Sequence, residues 1–269
     1  MKFNFLKAVI HDWAGTVVDH GSRAPVAALQ RVFAENGVAI TTAEARQDMG
    51  VLKIDQIRFI LAADRVRDQW LRAYGRAPSE RDTERLFTEF LPRQAEILAE
   101  FSEPIDGVCE TVEAWRSAGL RIGSTTGYTR ALLNAVMETA ARHGYAPDTS
   151  VTPDEAGAGR PAPFMCYRNA IDLQVYPLSA CVKIGDTPSD IAEGLNAGMW
   201  TIGITRTGNE VGLSKQELDA LAAEERQALL EQAGKRLQAA GAHFLAPSVA
   251  HCDIPLSEIE RQLSKGERP

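Results

Sequence analysis

Short apolar runs alternate along the chain with longer stretches of helical periodicity. The runs are four to seven residues long and are typical of strands buried on both faces of a sheet. They are 7–13, 120–126, 150–153, 181–186 and 200–205. Helical patterns at 107–118, 130–143, 163–173 and 189–197 separate the later runs. This alternation predicts an α/β fold, a Rossmann-like doubly wound parallel sheet with helices on both faces.

The segment between the first two strands is far longer than a crossover needs. A crossover takes about a dozen residues, whereas this segment is roughly ninety residues long. Its helical periodicity predicts an α-helical cap domain inserted after strand 1, at residues 21–100, with the α/β core formed by residues 1–20 and 101–269. Linkers are expected near 19–24 and 102–106. The apolar positions that carry the periodicity are Val26, Leu29, Val32, Phe33, Ile54, Ile57, Ile60, Leu61, Leu86, Phe87, Phe90 and Leu91.

The tail beyond residue 207 suggests fold but no chemistry. It contains a polar helical stretch at 215–240, a short apolar run at 242–246 and a final amphipathic helix.

Acidic residues follow two of the predicted strands. Asp12 comes after the first strand, Asp186 ends the fourth, and Asp190 lies one turn into the next helix. In open parallel sheets the site lies beyond the carboxyl ends of the strands, so these carboxylates are expected to meet there. A bound cation would relieve their repulsion, and Mg²⁺ prefers oxygen ligands. A plain helix cap is the alternative for Asp12 taken alone.

A second set of residues is suited to an anion. Ser124-Thr125-Thr126-Gly127 offers hydroxyl and backbone donors at a strand-to-helix turn, although a helix cap would look the same. Arg160, between prolines and glycine in Gly159-Arg160-Pro161-Ala162-Pro163, can bind phosphoryl oxygens bidentately, although a surface arginine is the simpler interpretation.

Charge and composition limit the partners. The formal net charge of −7 disfavours nucleic acid as the main partner but not a small anionic substrate. Four scattered cysteines, at 109, 166, 181 and 252, suit a reducing compartment. Neither a secretory leader nor a long apolar segment is recognisable, so we expect a cytoplasmic protein without membrane spans.

The order D-x-A-G-T, S-T-T-G, R-P-x-P, G-D-T-x-S-D resembles the haloacid dehalogenase superfamily. The resemblance spans the whole core, and the cap inserted after strand 1 resembles one subclass of that superfamily. It implies that Asp12 is a nucleophile toward phosphorus, that Thr126, Gly127 and Arg160 bind the phosphoryl group, and that the later acids serve magnesium.

Ala14 stands where phosphatases of that superfamily usually have a second aspartate, which protonates the departing oxygen. One interpretation is an inactive relative; the other is that the leaving group is not an oxygen. If carbon departs, an iminium can accept the electrons, and this requires a lysine amine. Residues 20–106 contain eleven arginines and one lysine, Lys53, among apolar neighbours. Desolvation there would lower the pKa of the amine, although a solvated lysine is the simpler interpretation.

The segments D-W-A-G-T-x-x-D, M-G-x-x-K-x-D, G-S-x-x-G-Y and G-R-P-x-P make the likeness closer, because they are similar to the phosphonoacetaldehyde hydrolase (phosphonatase) family. The resemblance implies hydrolysis of phosphonoacetaldehyde to acetaldehyde and phosphate. It makes Asp12 the nucleophile and Lys53 the imine former, with Mg²⁺ held by Asp12, the backbone carbonyl of Ala14 and Asp186. It also suggests a homodimer formed through the caps, in which Trp70 and Leu71 either take part or fill the cap core.

One position departs from the family pattern, which has histidine where this chain has Gln56. Glutamine forms hydrogen bonds but does not shuttle protons near neutral pH. Supporting roles therefore stay open for several residues: Met49, Gln56, Tyr128, Asp190, Asp55, His11 and His20. His11 is expected to point to the opposite face of its strand from the nucleophile and to pack there.

Three hypotheses remain at this stage. The first is the phosphonatase reaction through Lys53, with Lys183 as the rival amine. The second keeps the fold but hydrolyses another phosphonate or a phosphate ester. The third is a non-catalytic binding protein, which the missing second acid supports and the full nucleophile, magnesium and phosphoryl set opposes.

Overall fold

The computed structural model describes residues 2–269, except for the side chain of Ala99. Six parallel strands form one sheet in the order β3-β2-β1-β4-β5-β6. The strands are β1 (Ala8–His11), β2 (Arg121–Thr125), β3 (Thr149–Val151), β4 (Cys181–Gly185), β5 (Trp200–Ile204) and β6 (Phe244–Ala246). The five predicted strands are thereby confirmed, and the apolar run in the tail supplies the sixth.

Helices cover both faces of the sheet, as expected for a doubly wound fold. Successive residues of β1 show why: Val9 packs into the larger apolar cluster on one face, whereas Ala8 and Ile10 pack into a smaller cluster on the other. The helices of the core are α6 (Val108–Ser117), α7 (Arg130–Arg142), α8 (Pro153–Ala156), α9 (Phe164–Asp172), α10 (Pro188–Asn196), α11 (Lys215–Ala220), α12 (Ala223–Ala239) and α13 (Asp253–Ser264). Short 3₁₀ turns occur at Leu178–Ala180 and Val249–His251. The polar stretch in the tail is thus two helices, separated at the extended residues Leu221 and Ala222.

The long segment after β1 is a helical cap with an apolar core of its own. Its helices are α1 (Ala24–Glu35), α2 (Thr42–Arg46), α3 (Lys53–Ala62), α4 (Asp64–Tyr74) and α5 (Glu80–Leu98), followed by a 3₁₀ turn at Ala99–Phe101. Nine of the twelve apolar positions named from the periodicity are buried in this core. Ile54, Phe87 and Leu91 line a cleft of about 310 Å³ between the cap and the core, and Phe87 and Leu91 also pack against the edge of the cap core.

The two chain crossings between cap and core run side by side. The backbone N–H of Ile105 donates to the carbonyl of Val17 at 2.9 Å, and Val18 pairs with Pro104. The Asp19 carboxylate accepts hydrogen bonds from the backbone N–H groups of Arg23 and Ala24, both at 2.9 Å, where α1 begins. These contacts fix the direction in which the cap leaves the sheet.

Arg46, at the end of α2, ties the cap to the core. Its guanidinium donates to the carbonyls of Gly21 at 2.8 Å and Gly212 at 2.7 Å, and to the side chain of Asn209 at 2.9 Å. Because the linker and a core loop share one arginine, the cap lies over the carboxyl ends of the strands. Among residues 2–269, no helix combines the length and apolar character that crossing a membrane requires.

Candidate active site

The site begins where β1 ends. The backbone N–H of Asp12 donates to the carbonyl of Ile184 at 2.9 Å, which continues the β1–β4 pairing by one residue. The Asp12 side chain therefore emerges at the sheet edge, where it is nearly buried. Gly15 follows with a φ of +80°, and a Cβ there would lie 2.2 Å from the Asp186 carboxylate. Only glycine lets the loop after Asp12 approach Asp186 so closely.

Asp186, at the end of β4, is held from two sides. One carboxylate oxygen accepts from the hydroxyl of Thr16 at 3.2 Å, and the other from the backbone N–H of Asn209 at 2.7 Å. Burial, followed by the charges of Asp12 and Asp190, raises the pKa of Asp186 well above its ordinary value. The site thus holds more negative charge than the side chains around Asp186 neutralise.

Asp190 lies behind this pair and is already satisfied by the protein. It accepts from Lys183 at 2.7 Å and from the Thr187 hydroxyl at 2.6 Å, and it forms an ion pair with Arg160 at 3.0 Å. It also accepts from the backbone N–H of Thr187 at 3.2 Å, as part of the capping box of α10. Burial opposes its ionisation, but Arg160 and Lys183 hold the pKa of Asp190 below its ordinary value. Lys183 also contacts Glu193 at 3.3 Å, so it belongs to a buried charge network.

Oxygen atoms from Asp12, Asp186 and Asp190 lie within 4.8 Å of one another. A set of carboxylate donors suits a hard divalent cation, and the raised pKa of Asp186 shows that the site lacks compensating positive charge. Both oxygens of Asp190 are bound by protein donors, whereas one oxygen of Asp12 contacts Arg160. Asp12 and Asp186 are accordingly better suited than Asp190 to bind the cation directly.

Thr126 and Gly127 follow β2 at the same edge. Thr126 is buried, and its hydroxyl accepts from the backbone N–H of Tyr128 at 3.1 Å. Arg160 reaches this edge from the loop between α8 and α9. Its Nη2 donates to Asp12 at 2.7 Å, while Nε and Nη1 contact Glu193 and Asp190, each at 3.0 Å. All three guanidinium nitrogens therefore contact protein carboxylates, and Nη2 also donates to the Thr125 hydroxyl at 2.9 Å.

Lys53 reaches this edge from the cap, directly after the loop between α2 and α3. The loop rests directly on the core: the Ser189 hydroxyl donates to the carbonyl of Met49 at 3.1 Å. Gly50 has a φ of +91°, and a Cβ there would lie 2.4 Å from the Ser189 hydroxyl. On the core side, a Cβ on Gly127 would lie 3.2 Å from the carbonyl of Val51. Small residues on both surfaces therefore permit the close contact.

Lys53 is the first residue of α3, and the two groups in direct contact with its amine are neutral. It donates to the Gln56 side-chain oxygen at 2.7 Å and lies 3.1 Å from the Met49 sulfur. Burial lowers the pKa of Lys53 to about 7, with the charges of Asp12 and Asp186 opposing this and that of Arg160 adding to it. A substantial fraction of the amine is therefore uncharged and nucleophilic at neutral pH.

Lys53 and Asp12 line one small cavity of about 20 Å³. The cavity is also lined by Ala14, Ser22, Pro25, Met49, Gly50, Thr126, Gly127, Tyr128, Arg160 and Thr187. The Tyr128 hydroxyl is buried here without a hydrogen-bond partner among the described residues. Ala14 contributes no acid, so Asp12 is the one carboxylate among the residues that line this cavity.

Sequence reasoning missed some of these residues. Ser22 and Thr187 line the cavity, and Glu193 holds Arg160 and Lys183. Thr125 was expected among the donors to an anion, and its hydroxyl accepts hydrogen bonds from Arg160 and Lys183. Glu193 had a detectable signal, since it follows Asp190 by one helical turn and so shares its face. Ser22 had none, because its place depends on how the linker turns.

Other candidates lie elsewhere. Asp55 pairs with Arg58, and the His20 ring contacts the carbonyl of Leu213, so neither lines the cavity. His11 is buried against Trp115, with ring centroids 5.8 Å apart, which confirms its expected packing role.

Of the two cap residues considered for a dimer contact, Trp70 is buried in the cap core. Leu71 is 49% exposed. The structure therefore assigns Trp70 to packing within the cap.

The chain is similar to several known proteins. Residues 6–198 match the family of haloacid dehalogenase-like hydrolases. A phosphonoacetaldehyde hydrolase from Syntrophobacter fumaroxidans is 44% identical over 98% of this chain and 95% of its own length. A bifunctional phosphonoacetaldehyde hydrolase/aminoethylphosphonate transaminase from Clostridioides difficile is 44% identical over 97% of this chain, which spans 41% of that longer protein.

A solved structure extends the likeness to the fold. The crystal structure of a phosphonoacetaldehyde hydrolase like protein from Oleispira antarctica superposes with a TM-score of 0.97 at 38% identity. It covers 100% of this chain and 98% of its own.

Proposed function

Because the chain belongs to the haloacid dehalogenase-like hydrolases and, within them, to the phosphonoacetaldehyde hydrolase family, we propose that it hydrolyses phosphonoacetaldehyde to acetaldehyde and phosphate. The observation that carries the proposal is a buried amine and a carboxylate in one cavity that lacks a second acid. Lys53 has a lowered pKa, Asp12 lines the same cavity, and Ala14 replaces a proton donor. A carbon leaving group needs an electron acceptor rather than a proton donor, and an amine can form one.

The reaction begins with the neutral amine of Lys53. It adds to the aldehyde carbon and, with loss of one water molecule and uptake of one proton from solvent, forms a protonated imine; the final hydrolysis to the free amine returns a proton. A carboxylate oxygen of Asp12 then attacks phosphorus. As the new P–O bond forms, the electrons of the P–C bond move into the imine, leaving an enamine on Lys53 and an aspartyl-phosphate on Asp12.

Two hydrolytic steps complete the cycle. Protonation of the enamine carbon regenerates an imine, and water releases acetaldehyde and the free amine. A second water molecule attacks the aspartyl-phosphate and releases phosphate. One water is lost and two are used, so the net reaction consumes one.

The developing phosphoryl charge needs donors that are already in place. We assign this role to Thr126, Gly127 and Nη2 of Arg160, which surround the side of the cavity occupied by Asp12. Contacts with Asp190 and Glu193 hold the guanidinium in place, so Arg160 loses little freedom when an anion binds.

Mg²⁺ is the proposed cation. Asp12, the backbone carbonyl of Ala14 and Asp186 would hold it, and Asp190 would act from behind through Lys183 and Arg160. When bound, the cation supplies positive charge that offsets repulsion between the Asp12 carboxylate and an anionic substrate. The raised pKa of Asp186 and the purely oxygen donor set support this choice.

We propose the domain boundaries 1–20 with 101–269 for the core and 21–100 for the cap. The separate apolar core of the cap and the paired crossings near Val18 and Pro104 support them. A homodimer through the caps is proposed from the exposed apolar side chains Phe59, Leu71 and Tyr74. Four free cysteines support a cytoplasmic location.

Borohydride trapping tests the central step. With phosphonoacetaldehyde present, reduction of the imine should leave a stable two-carbon adduct on the peptide that contains Lys53, detectable by mass spectrometry. Lys53→Arg should give neither adduct nor phosphate release, because a guanidinium remains protonated. Lys265→Arg, at an exposed lysine, is the matched control and should behave like the unmodified protein.

Phosphate release without any adduct on Lys53 would refute the imine mechanism. Phosphate release from a phosphate ester that survives Lys53→Arg would instead favour the ester hydrolase.

A further inference from the structure

Gln56 is fully buried, and its hydrogen bonds fix which way its amide faces. The nitrogen donates to the carbonyls of Ala45 at 2.9 Å and Gln47 at 3.2 Å. Both acceptors lie where α2 ends, so they are carbonyls that the helix itself leaves free. With both amide hydrogens used in this way, the side-chain oxygen is the atom turned toward Lys53, 2.7 Å from its amine.

The contacts of Lys53 restrict its amine in a complementary way. A neutral amine has two N–H bonds and one lone pair in a tetrahedral arrangement. The Gln56 oxygen and the Met49 sulfur, at 2.7 Å and 3.1 Å, are acceptors for the two N–H bonds. The lone pair then takes the remaining direction, away from both acceptors.

We propose that Gln56 is a positioning residue for imine formation, holding one N–H of Lys53 so that the lone pair of the amine faces the cavity it shares with Asp12. The inference rests on the proposed function, since it concerns the amine that forms the imine. Gln56 acts through Lys53 and needs no contact with the substrate.

Gln56 also influences the charge of Lys53 without titrating. Its carbonyl oxygen accepts from an ammonium, an amine or an iminium, so one contact persists through the cycle. The charged and titratable groups that face Lys53 come from the core: Asp12 after β1, Tyr128 after β2, Arg160 before α9 and Asp186 after β4. At position 56 itself the contact is neutral, so substitutions there change the local charge in a known direction.

Two near-isosteric variants test the proposal. Gln56→Met removes the acceptor, so the ammonium loses a hydrogen bond and the pKa of Lys53 should fall. Gln56→Glu places a carboxylate beside the amine, so the pKa should rise. We expect the midpoint of imine trapping against pH to move by about one unit in opposite directions. Above its midpoint, Gln56→Met should trap at least about tenfold more slowly, because the amine is no longer oriented.

Inhibition by inorganic phosphate serves as the internal control, since the phosphoryl-binding residues are untouched and its inhibition constant should stay unchanged. Unchanged midpoints in the folded variants would overturn the proposal, as would equal loss of trapping in both without a shift. Circular dichroism identifies a variant that fails to fold. The remaining variant still tests the proposal, because its midpoint of imine trapping must shift in the stated direction.

Acetylation of Lys53 by acetic anhydride, followed by peptide mass mapping, measures the pKa of the amine without substrate. One outcome is that the two variants shift the pKa of Lys53 in opposite directions while the unmodified protein does not turn over phosphonoacetaldehyde. That result would contradict the proposed function but support the effect of Gln56 on Lys53. Turnover without such shifts would contradict only the role of Gln56.

Discussion

Lys53 in the cap and Lys183 in the core are both buried, yet their surroundings move their pKa values in opposite directions. The amine of Lys53 contacts an amide oxygen and a sulfur atom, and burial lowers its pKa to about 7. At Lys183, burial and Arg160 oppose the charge, but Asp190 and Glu193 outweigh them and raise the pKa. A lysine therefore becomes nucleophilic here only when it is buried and has no paired carboxylate.

The two lysines also differ in role: Lys183 supports the structure of the site, whereas Lys53 is the proposed nucleophile. Lys183 lies on β4 and joins Asp190, Glu193 and Thr125 in a network that supports Arg160. Lys53 lies at the start of a helix, where the positive end of the helix dipole further disfavours an ammonium. As a rival imine former Lys183 is disfavoured, because its protonated amine has no free lone pair.

Replacing each lysine by methionine should give reciprocal results. Lys53→Met should reduce phosphate release at least about 10³-fold. It should either leave the free energy of unfolding within about 1 kcal/mol of the original value or raise it, since it removes a buried amine that has no carboxylate partner. Lys183→Met should lower the free energy of unfolding by about 3–5 kcal/mol, because it leaves buried carboxylates without their partner. Urea unfolding and a phosphate assay measure the two effects, and a stable Lys183→Met protein would contradict the comparison.

The pH dependence of turnover should report the amine in the cap. Because the folded-state pKa of Lys53 is about 7, the amine becomes protonated and loses its nucleophilic lone pair as the pH falls through that value. We expect kcat/KM for phosphonoacetaldehyde to fall about tenfold per pH unit below pH 7. A profile that stays flat between about pH 5.5 and 8 would mean that another group controls the reaction.

A carboxylate placed near Lys53 should make it more like Lys183. Ala14→Asp adds an acid to the wall of the cavity, so the pKa of Lys53 should rise and the acid limb of kcat/KM should move up by about one pH unit. Ala14→Asn adds similar bulk without the charge and should leave the limb where it is. Equal profiles for the two variants would show that charge at this position does not reach the amine.

Much of the site followed from local patterns. Asp12 and Asp186 each come directly after a buried strand, and neighbouring parallel strands bring such residues to one edge whatever the details of packing. Lys53 could be selected because it is the lone lysine of the insertion. The sequence did not show that Ile54, Phe87 and Leu91 line a cleft. Helical periodicity marks an apolar face but does not show whether that face meets a core or a cleft.

The sequence by itself determined the order of strands and helices, the inserted cap, the carboxylate set and the absence of an acid at Ala14. These depend on periodicity and on neighbours close along the chain. Only the tertiary structure decided that Lys53 meets Gln56 and Met49 while Lys183 meets Asp190 and Glu193. A pKa depends on the charges and solvent within a few ångströms, and folding brings those groups together from distant parts of the chain.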